Sequence, residues 1–306
     1  MPRPLTPSAR RRALVVAATV LALVVTTPEA HAATAAVGTA AAGASVAGAV
    51  RAAQDAPYAA TPPAGISCRA AVSQATTYAC VIGRSVAGRP IVARRQGNPS
   101  AARVLLVNGQ MHGEEWPGPR SVKLVRSARI PADAAYQVWT ISTINPDGAR
   151  IGRRRNNHKV DLNRNFPDSW APLWDAGRRA MSEPETRAMM RFLRWVQPDL
   201  ILSLHGFRES VDTTGGGLRA AWARDFSRIS GIGPAARVPC QPGPCHGNMT
   251  EWYSRVSTSG GVGITIEMPR SSKVARRCAV PGRATRATPI QCAAWAALDI
   301  APRLPA

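Results

Sequence analysis

Ser182-Glu183-Pro184-Glu185-Thr186-Arg187-Ala188-Met189-Met190-Arg191-Phe192-Leu193-Arg194-Trp195-Val196-Gln197-Pro198-Asp199-Leu200-Ile201-Leu202-Ser203-Leu204-His205-Gly206 holds two opposite periodicities in one stretch. Met189, Phe192, Leu193 and Val196 recur at i, i+3, i+4 and i+7, the spacing of one apolar helix stripe. Ser182 to Glu185 reads as a capping box with proline in the first turn, and Pro198 stops the helix. The run 199–204 then follows at once. It is short, continuous and apolar, as a strand covered on both faces should be. A helix feeding directly into a buried strand places the chain among α/β folds with helices on both faces of a sheet.

Three further apolar runs, at 104–107, 138–144 and 263–268, read as strands of the same kind. Residues 293–300 read as a C-terminal helix of small apolar side chains that can pack on the sheet. No internal repeat is visible.

Upstream, the chain changes character. Arg3, Arg10, Arg11 and Arg12 precede an apolar run at 13–25 that is too short to span a bilayer, and Ala30-His31-Ala32 offers a cleavage site. Residues 1–32 therefore read as a secretory signal peptide, with a membrane anchor as the alternative. Residues 33–57, rich in alanine and glycine, read as a linker or pro-segment with little to bury. Residues 58–306 are long enough for one large catalytic-size domain, and no later run is long enough to cross a membrane.

The formal charge is +21; four arginines and one glutamate fall in 1–32, so the remainder stays near +18. Such a balance favours anionic surroundings. No aromatic-interleaved basic motif accompanies it, which argues against nucleic acid as a partner. For an exported chain an anionic cell wall is the better fit. Six cysteines, Cys68, Cys80, Cys240, Cys245, Cys278 and Cys292, suit an oxidising compartment. The simplest pairing joins neighbours: 68–80, 240–245 and 278–292. A metal knuckle of Cys240, Cys245 and His246 is the alternative, disfavoured by that compartment.

The chemistry gathers at strand ends. His112 and Glu115 lie in Asn108-Gly109-Gln110-Met111-His112-Gly113-Glu114-Glu115, directly after one apolar run, and His205 ends another. In open α/β sheets functional residues collect at the carboxyl ends of strands. Two histidines and a glutamate with a fourth position open make a donor set for catalytic zinc. Asn145-Pro146-Asp147-Gly148 is a turn signal, leading to Arg153-Arg154-Arg155 and to Val160-Asp161-Leu162-Asn163-Arg164-Asn165-Phe166-Pro167.

With these motifs in order, from Ile82-Gly83-Arg84 to Gly263-Ile264-Thr265-Ile266-Glu267-Met268-Pro269, the chain resembles the zinc metallocarboxypeptidase family of the carboxypeptidase A type, and within it the bacterial murein peptide amidase branch. The resemblance implies a single domain with a mixed central β-sheet flanked by helices. It implies one Zn2+ per chain on His112, Glu115 and His205, with Glu267 as general base. It implies Arg154 as the group that polarises the scissile carbonyl, and Asn163 and Arg164 as the holders of a substrate carboxylate. Tyr253 is a candidate for the family's substrate-contacting tyrosine, with a structural tyrosine beside a core tryptophan as the alternative. Lys159 stands where the family usually has glycine. The expectation is an exported hydrolase acting on an amide next to a free carboxylate. Three substrate or binding readings stay open: a murein stem peptide cut between γ-D-glutamate and a diamino acid, the C-terminus of ordinary peptides, and a non-catalytic cell-wall-binding protein on the same fold. The succinylglutamate desuccinylase and aspartoacylase group, with the same metal triad, acts on cytosolic acyl amino acids and fits an exported chain less well.

Overall fold

The computed structural model describes residues 61–70, 78–237, 245–271, 275–283 and 286–305; the expected signal peptide at 1–32, the linker at 33–57 and Cys240 lie outside them. A nine-stranded mixed sheet forms the centre. Its strands are β1 (Ser67–Ala70), β2 (Tyr78–Arg84), β3 (Pro90–Gly97), β4 (Arg103–Gly109), β5 (Tyr136–Ile141), β6 (Leu200–Gly206), β7 (Ser210–Asp212), β8 (Ala235–Ala236) and β9 (Val262–Met268). Their spatial order is β1-β2-β3-β5-β4-β6-β9-β7-β8. The four central strands β5, β4, β6 and β9 run parallel, and antiparallel strands flank them.

The alternation of side chains across each strand divides the core in two. Leu106, Trp139 and Ile201 face helices α3 (Pro184–Val196) and α5 (Met249–Val256). Leu105, Val107, Val138, Leu202 and Ile264 face α1 (Pro117–Ser127), α4 (Gly217–Ser230) and α6 (Pro289–Ile300). The expected layers of helix, sheet and helix are therefore present. Met189, Phe192, Leu193 and Val196 are all buried in the first half-core, as the stripe on α3 requires.

Three expectations need local correction. Ser182 does not cap α3: the N-cap is Glu183, without a side-chain cap bond, and the Ser182 hydroxyl donates to Glu183 Oε1 instead. Glu185 is drawn away from the cap by Val86 N–H and the Asn156 amide. The strand expected at 138–144 ends at Ile141, because Asn145 caps a short helix, α2 (Pro146–Ile151), which Gly152 closes in the left-handed conformation. The C-terminal helix starts earlier than residue 293, behind a capping box of Thr288 and Gln291.

Cys68 faces Cys80 across β1 and β2 and is bonded to it, and Cys278 is bonded to Cys292, which fixes the start of α6. Cys245 is disulfide-bonded too, so it is no thiolate ligand. His246 hydrogen-bonds Ser169 O through Nδ1. No helix among the described residues is long and apolar enough to cross a membrane.

Candidate metal centre and active site

His112 and Glu115 occupy the turn that leaves β4, and His205 sits near the end of its parallel neighbour β6. Gly113 allows this turn to form. A Cβ there would lie 2.1 Å from Gly148 C and 2.4 Å from Arg153 O, so the chain passes too tightly for any other residue. Gly113 N–H donates to Arg154 O. Asn145 completes the clasp: its backbone N–H donates to Gln110 O, its Nδ2 to Arg154 O, and its Oδ1 accepts from Gly148 N–H. The Asn-Pro-Asp-Gly turn thus places the arginine loop against the histidine turn. Asp147 carries the clasp outward by accepting from Ser85, Ala87 and Arg89.

The three candidate ligands are 1–3% exposed, and their donor atoms all lie within 4.8 Å of one another. His112 Nδ1 lies 2.7 Å from Glu115 Oε1, His205 Nδ1 lies 3.1 Å from Glu115 Oε2, and the two Nδ1 atoms are 3.3 Å apart. The far side of each ring is held: His112 Nε2 is 3.0 Å from Asp161 Oδ1, and His205 Nε2 is 3.2 Å from Ser203 Oγ. A carboxylate only accepts, so Asp161 fixes a proton on His112 Nε2 and leaves the Nδ1 lone pair facing Glu115. Lone pairs and a carboxylate converging this closely require a cation or proton among them. A tetrahedral zinc site with bonds of about 2.0–2.1 Å sets its ligand atoms about 3.3 Å apart, which matches the pair of imidazoles. The donor set, its burial and its outer partners fit zinc.

The carboxylates on both sides make this cluster one that favours a positive charge. Burial alone would depress the His112 imidazole, yet Glu115 and Asp161 on its two sides push it up to about 10. Burial works to raise Glu115, but His112 and His205 bring it down to about 2. Asp161 is likewise held far below the usual carboxylate range: His112 and Arg154 overcome its burial.

Arg154 is the arginine that faces this cluster. Its Nη1 lies 3.1 Å from His112 Nδ1, and its Nε donates to Asp161 Oδ2 at 2.9 Å. Its neighbour Arg155 turns the other way, to Asp175 and over the Trp174 ring. Glu267 is in register with His205 on adjacent strands. Burial, with the charge of Glu115, raises its pKa against the lowering pull of His205, His112 and Arg208. Its Oε2 is buried and has no hydrogen-bond partner among the described residues. Asn163 and Arg164 lie on the single 3-10 turn after Asp161, where Asn163 N–H donates to Asp161 and Asn163 Oδ1 accepts from Met249 N–H.

Tyr253 is not brought to this site. It is 1% exposed and its hydroxyl donates to Pro198 O, at the opening end of β6. His205 is seven residues further on, roughly 20 Å along an extended chain. Tyr253 is thus a core tyrosine, beside Trp252 in the same cluster. Conversely, sequence reading passed over Asp161 and Ser203, the residues that orient the two imidazoles. Asp161 stands inside the quoted Asp-Leu-Asn-Arg-Asn motif, so its position was visible although its partner, 49 residues away, was not.

Residues 69–216 match the family model described as zinc carboxypeptidase, which bears out the resemblance carried by the motifs. Over 141 residues the chain is 33% identical to carboxypeptidase SOL1 of Arabidopsis thaliana, covering 41% of this chain and 28% of that one. Over 140 residues it is 29% identical to murein peptide amidase A of Escherichia coli (strain K12), covering 40% of this chain and 57% of that one. The chain thus aligns with less than two thirds of either relative. Its fold superposes on carboxypeptidase A from Helicoverpa armigera with a TM-score of 0.58, at 16% identity, over 75% of this chain and 68% of the other.

Proposed function

We propose, for a chain whose residues 69–216 match the zinc carboxypeptidase family, that it is a zinc-dependent metallopeptidase that hydrolyses an amide next to a free carboxylate. The observation that carries this reading is the convergence of His112 Nδ1, the Glu115 carboxylate and His205 Nδ1, with Arg154 beside His112 and Glu267 in register with His205.

His112, Glu115 and His205 would hold the zinc. When bound, zinc supplies a Lewis acid and lowers the pKa of water from 15.7 to about 7. Glu267, with its raised pKa and unpartnered oxygen, takes the proton of the attacking water and later delivers it to the leaving amine. Arg154, pinned by Asp161, presents N–H groups to the developing oxyanion. Asn163 and Arg164 hold the substrate carboxylate, a task suited to an arginine fork, and so align the scissile bond. Asp161 keeps the His112 ring turned toward the ligand position.

The substrate we favour is a murein stem peptide cut between γ-D-glutamate and a diamino acid. Similarity to murein peptide amidase A and a strongly basic chain support it. The alternative, removal of C-terminal residues from ordinary peptides, is supported by the likeness to carboxypeptidase SOL1. We also take the protein to be exported to the cell wall or beyond, a reading the disulfides support. A purely wall-binding role is the reading of another class. Incubation of the zinc-loaded protein with a murein tripeptide and with a hippuryl-type dipeptide tests all three. Chelator-sensitive release of amine from the tripeptide is expected, release from the dipeptide alone selects the carboxypeptidase, and release from neither refutes the enzyme.

A further inference from the structure

The loop that carries Arg154 has a second side, away from the histidine cluster. A cleft of about 440 Å3 opens there between α2, the loop at 153–159 and Trp174. Arg154 forms part of its wall, but His112, Glu115, His205, Glu267, Asn163 and Arg164 do not. Two large apolar side chains stand exposed in it, Ile151 at 50% and Trp174 at 81%. Arg155 keeps the indole in place. Its guanidinium carbon lies 3.9 Å from the ring centroid, and Asp175 fixes the arginine through Nε at 3.2 Å. A ring that is 81% exposed with a guanidinium over one face has its other face open to a partner.

The polar lining is cationic. Arg153, Arg154, Arg155 and Lys159 border the cleft, whereas the lining carboxylate, Asp147, is buried and paired with Arg89. Arg154 and Arg155 are engaged by Asp161 and Asp175. The side chains of Arg153 and Lys159 are exposed and make no hydrogen bond or ion pair among the described residues. Lys159 is held there against its own backbone. Its φ of +65° penalises any residue with a Cβ, and glycine adopts it freely. The buried Asn156 imposes the turn: its O accepts from Lys159 N–H, and its Oδ1 accepts from His158 N–H and Val160 N–H. Backbone strain of this kind gathers at ligand clamps.

The chemistry of the wall decides the ligand. Neighbouring cations suit an anion with several acceptor oxygens, and a phosphate monoester offers three with a charge of about −1.5 to −2. A carboxylate brings a single charge to the same cations. An exposed indole and an isoleucine call for a ring with apolar C–H faces beside that anion, which a sugar supplies. A cleft of about 440 Å3 is of ligand-pocket size. Trp174 is the one aromatic ring among the described lining residues, too few for the successive base stacking of single-stranded nucleic acid. Both apolar side chains border a cleft rather than a flat face, which fits a ligand better than a bilayer surface. We infer that this cleft is a binding site, separate from the metal cluster, for a sugar phosphate carried on a phosphorylated glycan. The sugar ring lies on Trp174 and Ile151, and the phosphate meets Arg153 and Lys159. The inference does not rest on the peptidase reading, because no candidate zinc ligand and no proposed base lines the cleft.

Calorimetric titration of the zinc-loaded protein tests it, with glucose 6-phosphate, glucose, inorganic phosphate, a single-stranded oligonucleotide and anionic phospholipid vesicles as probes. A second arm compares retention on phosphorylated and plain dextran. Glucose 6-phosphate should bind saturably, at least about 10-fold tighter than glucose or inorganic phosphate, and added salt should weaken it. Phosphorylated dextran alone should retain the protein. Lys159→Gly and Arg153→Gln should each lose about 10-fold or more, the scale of one charge-assisted hydrogen bond, and Trp174→Ala about 10-fold. Lys159→Gly also relieves the strained backbone, so lost binding at undiminished stability separates ligand contact from folding. All three variants should keep wild-type turnover of the murein tripeptide. No saturable binding, equal affinity for glucose or inorganic phosphate, or wild-type affinity in Lys159→Gly and Trp174→Ala overturns the inference. Tighter binding of the oligonucleotide or the vesicles, or variants that lose turnover and binding together, overturns it as well. Each of these leaves the peptidase standing where the tripeptide is cut. Saturable, Lys159-dependent binding by a protein that cuts neither peptide overturns the peptidase and leaves the site.

Discussion

His112 Nε2 lies 3.0 Å from Asp161 Oδ1, and the same carboxylate holds Arg154 through its other oxygen. One buried aspartate therefore fixes both an imidazole of the candidate metal cluster and the arginine proposed to stabilise the oxyanion.

Asp161→Asn keeps the shape of that contact and removes its charge. Zinc affinity should fall by about 10- to 100-fold, the usual effect of losing a carboxylate behind a histidine ligand. Competitive chelator titration measures it. An unchanged affinity would mean that Asp161 orients nothing the metal depends on.

His205→Ala removes a ligand outright. Zinc content of the purified variant should drop well below one ion per chain, read by native mass spectrometry, while the disulfide-tied fold persists by circular dichroism. Full zinc stoichiometry would rule His205 out as a ligand.

Lys159 adopts a φ of +65°, in the loop ahead of Asp161. A side chain there costs roughly 1–2 kcal/mol, and glycine avoids it, although glycine also loosens the unfolded chain. Lys159→Gly should leave stability unchanged or raise it by up to about 1 kcal/mol in denaturant unfolding. A clear loss would show that the lysine side chain makes a compensating contact.

Asp199 lies where β6 begins, and its Oδ2 accepts from Val104 N–H. Burial raises its carboxyl from the ordinary 3.8 to about 6, against that hydrogen bond. The folded chain therefore holds this proton more tightly than the unfolded chain. The associated stability is full below about pH 4 and is lost as pH rises through about 6. Asp199→Asn should consequently gain on wild type across that window, by an order of 1–2 kcal/mol at neutral pH, when unfolding is compared at several pH values. A difference independent of pH would contradict the assignment.

The central strands and the candidate ligands His112, Glu115 and His205 were readable because both signals are local: a short apolar run, then a histidine at its end. Glu267 ends another such run, but only the family resemblance singled it out as a candidate base. What escaped depends on pairing between distant segments. Asp161 meets His112 across 49 residues, and Arg219 meets Asp212 and Thr250 only once β7, β9 and α5 are assembled. Ser182 shows the reverse failure. Its capping pattern was correct locally, but Asn165, Asn156 and Val86 compete for the same side chains once the chain is folded. Tyr253 had only its neighbourhood in sequence to suggest a role, and packing against Pro198 gives it a different one.

The account stands most directly on Glu267. Wild type and Glu267→Gln, both loaded with zinc and matched for metal content, should be compared for turnover of the murein tripeptide. The variant should retain its zinc and lose at least about two decades in kcat, the scale of a proton-transfer group. Turnover close to wild type at equal zinc content would contradict the mechanism.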